Sequence, residues 1–509
     1  MKRSRVSLAV WIQLAWPLHS HAEPMGGKVV SGQAVIQQAT QAGQSVTTIT
    51  QSTPKATLSW QSFNVGSGEA VRFVQPSASA LSINRISDPN GSKILGKLSA
   101  NGQVWLINPA GVFFGPGAQV NVGGLVASTL NLADSANLYK MQGPVSAGNN
   151  TASVTNQGSI QTAEGGYVAL LGANVGNTGD IASAGGRILL LGDKVAGALE
   201  LSGRLDASGG QNQNTGFVET SAAKVRIADS ASVFTRSADG TSGNWLIDPT
   251  DFTISSGSGA STTSSIGATT LSTSLASSNV SIATDNNSGS DSGNIYVNSA
   301  VSWTAATTLS LSAYKDIYIN DTITSTNTSG KLILLYGQGS DSGSISGVAS
   351  DYYVNAPLSL AAGANFFTQL GSTVANLKSY QVITGVGSQG STTGTDLQGM
   401  NGSLTTNYAL GADIDASGTT SWYTSATLQG FLKIGDNTSS ATYYSGTFAG
   451  LGHVISDLYL YRPNVGVSGL FAVLSSAAVV RDTVITLRLF ILAHQCLARI
   501  GQEIQITNS

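Results

Sequence analysis

The string Asn156-Gln157-Gly158-Ser159-Ile160, followed by Gly165-Gly166-Tyr167-Val168-Ala169-Leu170, returns 21 residues later as Asn177-Thr178-Gly179-Asp180-Ile181, followed by Gly185-Gly186-Arg187-Ile188-Leu189-Leu190. A third, looser copy runs from Leu201-Ser202-Gly203-Arg204-Leu205 to Gly209-Gly210. A fixed period with two short apolar runs per unit predicts one solenoid turn per repeat. In a parallel β-helix each unit is a rung whose strands pair with the rungs above and below at about 4.8 Å. Equivalent positions then stack, Ile160 over Ile181 and Asn156 over Asn177, and build a core that no single rung could bury. The asparagines are expected to form an amide ladder, and the glycines to sit at bends that need a positive φ. A sandwich of hairpins also places turns every ~8 to 12 residues, but it does not repeat word order at a fixed offset.

The pattern persists downstream. Asn294-Ile295-Tyr296-Val297-Asn298 recurs as Asp316-Ile317-Tyr318-Ile319-Asn320, Leu309-Ser310-Leu311 as Leu332-Ile333-Leu334, and Ser290-Asp291-Ser292-Gly293 as Ser340-Asp341-Ser342-Gly343. Residues 253–292 are mostly Ser, Thr, Gly and Ala, which fits either a flexible linker or polar rungs. Near Asp482 the composition breaks: Val484 to Ile500 lacks glycine and reads as helical, either a cap on the last rung's edge or the mark of a truncation or reading-frame change. The organisation is therefore a signal peptide over 1–22, an N-terminal domain over 23–250, a Ser/Thr/Gly-rich β-helical region over 251–400, a Gly-Leu-rich region over 401–481 and an atypical tail over 482–509.

Composition supports an exported β chain. Glycine makes up 60 of 509 residues and charged residues only 10%, far from the roughly 25% charge of an average globular protein. A hydrophobic fraction of 41% is too high for a disordered chain. Lys2, Arg3 and Arg5, an apolar run from Val6 to Leu18, and Ser20-His21-Ala22 form a secretory signal with cleavage expected near Glu23. Its run is short of the ~20 residues needed to span a bilayer. Without those three basic residues the balance is 21 Lys+Arg against 27 Asp+Glu, a net of −6, which argues against a nucleic-acid partner. The one cysteine, Cys496, allows no internal disulfide, as suits a chain threaded unfolded through an outer-membrane pore.

Residues suited to chemistry are few. Gly91-Ser92-Lys93-Ile94-Leu95-Gly96-Lys97-Leu98 approaches a phosphate-binding loop, but Leu98 stands where that motif needs Ser or Thr. His19 and His21 leave with the signal, so only His453 and His494 remain, and neither a metal cluster nor a Ser-His-Asp or Cys-His set is supported. Asp413 with Asp415, Asp248 with Asp251, and Asp285-Asn286-Asn287-Ser288-Gly289 could serve as acids or calcium ligands. On a Gly-rich solenoid such aspartates ordinarily cap turns. No catalytic residue, metal site or cofactor is assigned.

A resemblance becomes specific between Gly27 and Leu130. Trp60-Gln61-Ser62-Phe63-Asn64-Val65-Gly66, Val71-Arg72-Phe73-Val74-Gln75-Pro76, Ile83-Asn84-Arg85-Ile86, Ala100-Asn101-Gly102-Gln103-Val104-Trp105-Leu106-Ile107-Asn108-Pro109-Ala110-Gly111-Val112 and Val122-Gly123-Gly124-Leu125-Val126-Ala127-Ser128-Thr129 occur in that order. The stretch resembles the secretion domain of two-partner secretion exoproteins of the filamentous haemagglutinin and high-molecular-weight adhesin type. The resemblance implies an all-β, right-handed parallel β-helix with extra capping strands at its N-terminal end. It also implies recognition by a dedicated outer-membrane transporter with periplasmic POTRA domains. The family's Asn-Pro-Asn-Gly-Ile secretion turn reads here Asn108-Pro109-Ala110-Gly111-Val112, so Asn108, Pro109 and Gly111 carry over and the second Asn does not. Asn84 and Arg85 match the adhesin subgroup.

Downstream, Gly243-Asn244-Trp245-Leu246-Ile247-Asp248-Pro249 resembles the passenger of large bacterial haemagglutinins, and Phe448 to Leu458 with Gly469-Leu470-Phe471 resembles a Gly-Leu-rich adhesin repeat. The implied protein is a non-enzymatic adhesin, exported through the Sec translocon, the periplasm and the outer membrane of a Gram-negative bacterium, with a host-cell or glycan receptor. Two competing readings are a polysaccharide-active β-helix enzyme and the stalk of a truncated toxin or cytolysin.

Overall fold

The structure is a computed structural model that describes residues 22–133, 142–209, 215–257, 263–287, 291–462, 469–490 and 504–505. The signal segment with His19 and His21, the tail positions His494 and Cys496, and Gly210, Ser288, Gly289 and Ser290 of the quoted strings lie outside the described residues.

From Lys55–Trp60 to Gly363–Leu370 the chain winds as a coil of parallel strands on three sides, and the expected parallel β-helix is what forms. The repeat offset sets the register. Asn156 lies on Asn177 and Val154 on Val175 on one side, Ile160 on Ile181 on another, and Val168 on Ile188 on the third. The looser copy stays in step, with Leu205 on Ile181, as do Ile295 on Ile317 and Leu309 on Leu332 further down. Alternate residues point inward, so these aliphatics merge into one continuous core.

One side of the coil is apolar on both faces. Trp105, Ile107, Val126, Leu189 and Leu191 point outward and are still buried, because the excursion after Ser128 lays Leu130, Leu132 and Val145 over them. At the N-terminal end, Lys28–Ser31 runs antiparallel to Lys55–Trp60. The hairpin of Ala34–Gln41 with Gln44–Gln51 adds a second antiparallel cover. These are the extra capping strands, and they shield edges that a coil would otherwise leave unpaired.

The glycines of the repeat need a different explanation from the one expected. Gly165 and Gly185 do take positive φ, 70° and 58°. Gly158, Gly179 and Gly203 do not; they stack on each other instead. A Cβ on Gly179 would lie 2.2 Å from the carbonyl oxygen of Gly158, and one on Gly203 would lie 2.1 Å from that of Gly179. The corner is tight because the backbone of the neighbouring rung occupies the side-chain position.

Of the two readings of residues 253–292, the described part follows the polar rungs: Phe252–Ser255, Ser265–Gly267 and Asn279–Ala283 are strands of the coil. Between them the helix Ala268–Leu275 takes the third side, packing against Ser232–Phe234 and Val301–Trp303. Leu271 and Leu275, four apart on one helical face, enter the core. Val484–Phe490 is a strand, parallel to Val454–Tyr461 with Val484 on Val454, and not a helix.

Beyond Leu370 the direction reverses. Lys378–Ile383 pairs antiparallel with Gly363–Leu370, and the strands Asn407–Leu410, Thr447–Ala449 and Val479–Arg481 follow it in parallel around a second core. Arg481 pins the two regions together: it bonds Asp351 at 2.9 Å and Asp482 at 2.7 Å, and its guanidinium lies 3.8 Å over the Tyr352 ring.

Candidate functional site

The strand Gln103–Ile107 must hand the chain to Val112–Phe114 on the next side, and four residues make that corner. Asn108 is fully buried. Its backbone N–H donates to Ser128 O at 2.9 Å. Its side-chain Oδ1 accepts the Ala110 N–H at 3.0 Å, and its Nδ2 donates to Ser92 Oγ at 3.0 Å in the preceding rung. An asparagine that accepts from the residue two ahead is a self-made turn. The Gly111 N–H closes the corner on Asn108 O at 3.0 Å. Gly111 has φ 121°, and a Cβ there would sit 3.1 Å from Ser153 O, so both conformation and space call for glycine.

Pro109 is exposed at the tip. Its carbonyl accepts from Asn150 Nδ2 at 3.0 Å, and the same amide reaches Thr129 O at 3.0 Å. Ala110 supplies the turn through its backbone alone. Sequence reasoning singled out Asn108, Pro109 and Gly111 as the turn but not Ser92 and Asn150 as its partners, which lie 16 and 41 residues away from the residues they bond.

Asn84 is also fully buried. Its Oδ1 accepts from Trp60 Nε1 at 3.0 Å, and its Nδ2 donates to Trp105 O at 3.2 Å. Asn84 therefore offers nothing to a partner directly and acts on the surface through the two tryptophan strands it ties together. Arg85 points outward, donating to Asn131 Oδ1 at 2.7 Å and Leu132 O at 2.8 Å. It holds down the excursion that covers Trp105 and Ile107. Arg85 lies beside Ile107 in register, one residue before the Asn108 corner. The structure thus gathers all five residues at one edge of the coil, with Asn84, Asn108 and Gly111 buried.

The other candidates serve the fold. Gly91 to Leu98 forms a rung corner between the strands Ser92–Ile94 and Lys97–Ala100. Asp251 accepts the Asn294 N–H at 2.7 Å. Asp415 accepts the Ser417 N–H at 2.8 Å. Asp413 accepts from the Val454 N–H at 3.0 Å and faces His453 Nδ1 at 3.1 Å, and the Val454 bond leads in holding its carboxyl below the usual range. His453 Nε2 meets Leu358 O at 3.1 Å. Asp248 is different: burial, then Asp285 and Glu219, push its carboxyl up to about 7. Asp248 and Asp251 do not act as a pair. Among the described residues no group of three His, Cys, Asp or Glu is placed to hold a metal, and no helix is long and apolar enough to cross a membrane.

The site is thus a corner of an N-terminally capped parallel β-helix, built from Asn108, Pro109 and Gly111. Residues 21–238 match the family described as the TPS secretion domain. That stretch therefore carries the secretion domain of two-partner secretion proteins. It is 43% identical over 109 residues to the heme/hemopexin-binding protein of Haemophilus influenzae strain Rd, a stretch that is 21% of this chain and 12% of the relative. A second heme/hemopexin-binding protein from Haemophilus influenzae is 40% identical over 120 residues, 23% of this chain and 13% of the relative. The match thus spans about an eighth of the length of these relatives. The solved HMW1 secretion domain from Haemophilus influenzae aligns at 18% identity with a TM-score of 0.41, covering 67% of this chain and 100% of that one.

Proposed function

We propose that the exported chain is an adhesin or haemagglutinin that acts in surface attachment or aggregation, by binding rather than by turning over a substrate. The observation that carries this reading is a pair of outward ladders on the downstream rungs. Tyr296, Tyr318 and Tyr353 stack with ring centroids 5.1 and 4.9 Å apart. Two residues on, Asn355 donates its amide to Asn320 at 2.7 Å, and Asn320 donates to Asn298 at 2.8 Å. A rigid rod that repeats one weak contact at rung spacing gains avidity without any deep pocket.

The route in this reading is the Sec translocon, then recognition of the Asn108 corner by periplasmic POTRA domains, then folding outside against a host-cell or glycan receptor. Secretion is tested by co-expression with an outer-membrane transporter of the two-partner type, scored by appearance in the medium. Adhesion is tested by binding of the secreted chain to epithelial cells. Release of reducing sugar from pectin or host glycans would replace this reading with the enzyme, and haemolysis or growth inhibition would replace it with the toxin stalk.

A further inference from the structure

Arg462 follows the strand Val454–Tyr461 and is only 7% exposed. Its guanidinium meets carbonyl oxygens alone: Nη1 donates to Gln429 O at 2.5 Å and to Tyr461 O at 2.7 Å, and Nη2 donates to Phe431 O at 2.5 Å. Among the described residues no carboxylate forms an ion pair with it. Burial lowers its pKa from the usual value, yet a guanidinium stays protonated in proteins. A nearly enclosed full charge is therefore balanced only by dipoles, with Nε–H and one Nη2–H left to donate.

This charge borders a cavity of about 470 Å³ that is also lined by Ser391, Thr392, Thr427, Leu428 and Lys433. The wall is fixed. Gln398 Nε2 donates to Leu432 O at 3.0 Å while its Oε1 accepts the Leu432 N–H at 2.9 Å, and Asn401 Oδ1 accepts the Gly435 N–H at 2.8 Å. The acids nearby are otherwise engaged. Asp396 accepts from Ser391 at 2.8 Å, Thr393 at 2.9 Å and the Gly399 N–H at 2.6 Å. Asp436 accepts from the Thr438 N–H at 2.8 Å and from Thr438 Oγ1 at 2.7 Å and also feels the Lys433 charge, and neither acid lines the cavity.

We propose that this cavity binds a hydroxylated acid of monosaccharide size, of the uronic-acid type, with its carboxylate on Arg462 and Lys433. The three hydroxyl side chains face its hydroxyl groups, and Leu428 and Leu432 face its ring. The volume falls within the range of about 300–1,000 Å³ typical of small-ligand sites. The site lies outside the secretion domain and is independent of the adhesion reading, since cell binding and acid binding can each fail alone.

The test is calorimetric titration of the secreted full chain with glucuronate, with glucose as the neutral control and a glucuronate-containing trisaccharide as the chain-borne form. Glucuronate is expected to bind at one site, about tenfold or more tighter than glucose, as the loss of a charge-assisted bond implies. Lys433→Gln should weaken it by a similar factor. Arg462→Gln risks the fold, so Thr427→Trp at the exposed rim serves as the blocking variant and should abolish binding with an unchanged melting temperature. Tighter binding of the trisaccharide assigns the site to glycan chains, and tighter binding of glucuronate assigns it to the free acid. No binding of glucuronate, equal binding of glucose, or binding that survives both Lys433→Gln and Thr427→Trp overturns the proposal.

Discussion

The side-chain amide of Asn156 donates to Oδ1 of Asn177 at 2.8 Å, one rung away and wholly inside the coil. Each asparagine also holds its own corner: Asn156 accepts the Gly158 N–H at 3.1 Å, and Asn177 donates to Gly179 O at 3.0 Å. In the next rung the position is Leu201, which ends the ladder. Asn177→Leu should therefore leave the Asn156 amide without its cross-rung acceptor and cost about 1–3 kcal/mol. The double replacement of Asn156 and Asn177 by Leu should cost less than the sum of the two singles, as urea midpoints in a double-mutant cycle would show.

The two kinds of corner glycine should respond differently to replacement. At Gly165, where φ is 70° and a Cβ would meet nothing within 4 Å, alanine should cost about 1–2 kcal/mol from backbone strain. Asparagine, which tolerates that conformation, should recover much of the loss. At Gly179 alanine must displace backbone, with a cost of about 1–3 kcal/mol or more, and asparagine should be worse still. Equal rescue by asparagine at both sites would refute the stacking explanation.

If the Asn108 corner serves export as proposed, Asn108→Ala and Gly111→Ala each sharply reduce appearance in the medium when a two-partner transporter is co-expressed. Asn150→Ala should weaken export less, because it clamps the corner from outside through Pro109. If the Asn108→Ala/Gly111→Ala chain is secreted at the wild-type level, the corner is only structural.

Asp248 sets a pH dependence. Its folded pKa, about 7, lies above the ordinary 3.8, so between those values the folded chain holds a proton that the unfolded chain has released. Stability from this group is fully present below about pH 4 and is lost as pH rises toward 7. Glu219 and Asp285 are shifted upward by burial in the same direction. The urea midpoint should be higher near pH 5 than near pH 8, and Asp248→Asn should reduce that difference. An unchanged difference in Asp248→Asn would remove Asp248 as its source.

The register of the coil was legible because neighbouring rungs repeat the same words, so Ile160 and Ile181 announce their own contact. The role of Gly179 was not, since the atom that excludes its Cβ belongs to another rung and leaves no local trace. The helix at Ala268–Leu275 was hidden by its Ser and Thr content, with only Leu271 and Leu275 marking its inner face. Val484–Phe490 reads as helical because it lacks the glycines of the rungs, and it is the pairing with Val454–Tyr461 that makes it a strand. At the corner, Asn108 and Gly111 were visible as a motif, whereas Ser92, Asn150 and the surroundings of Arg462 are products of the fold alone.

The return of the chain at Lys378–Ile383 has a bearing on how copies of the molecule can meet. A coil of uniform direction ends in a template onto which an identical coil could add, head to tail, without limit. Here the rim at Gly363–Leu370 is already occupied by a strand of opposite sense, so a second coil finds no free backbone to pair with along that side of the rim.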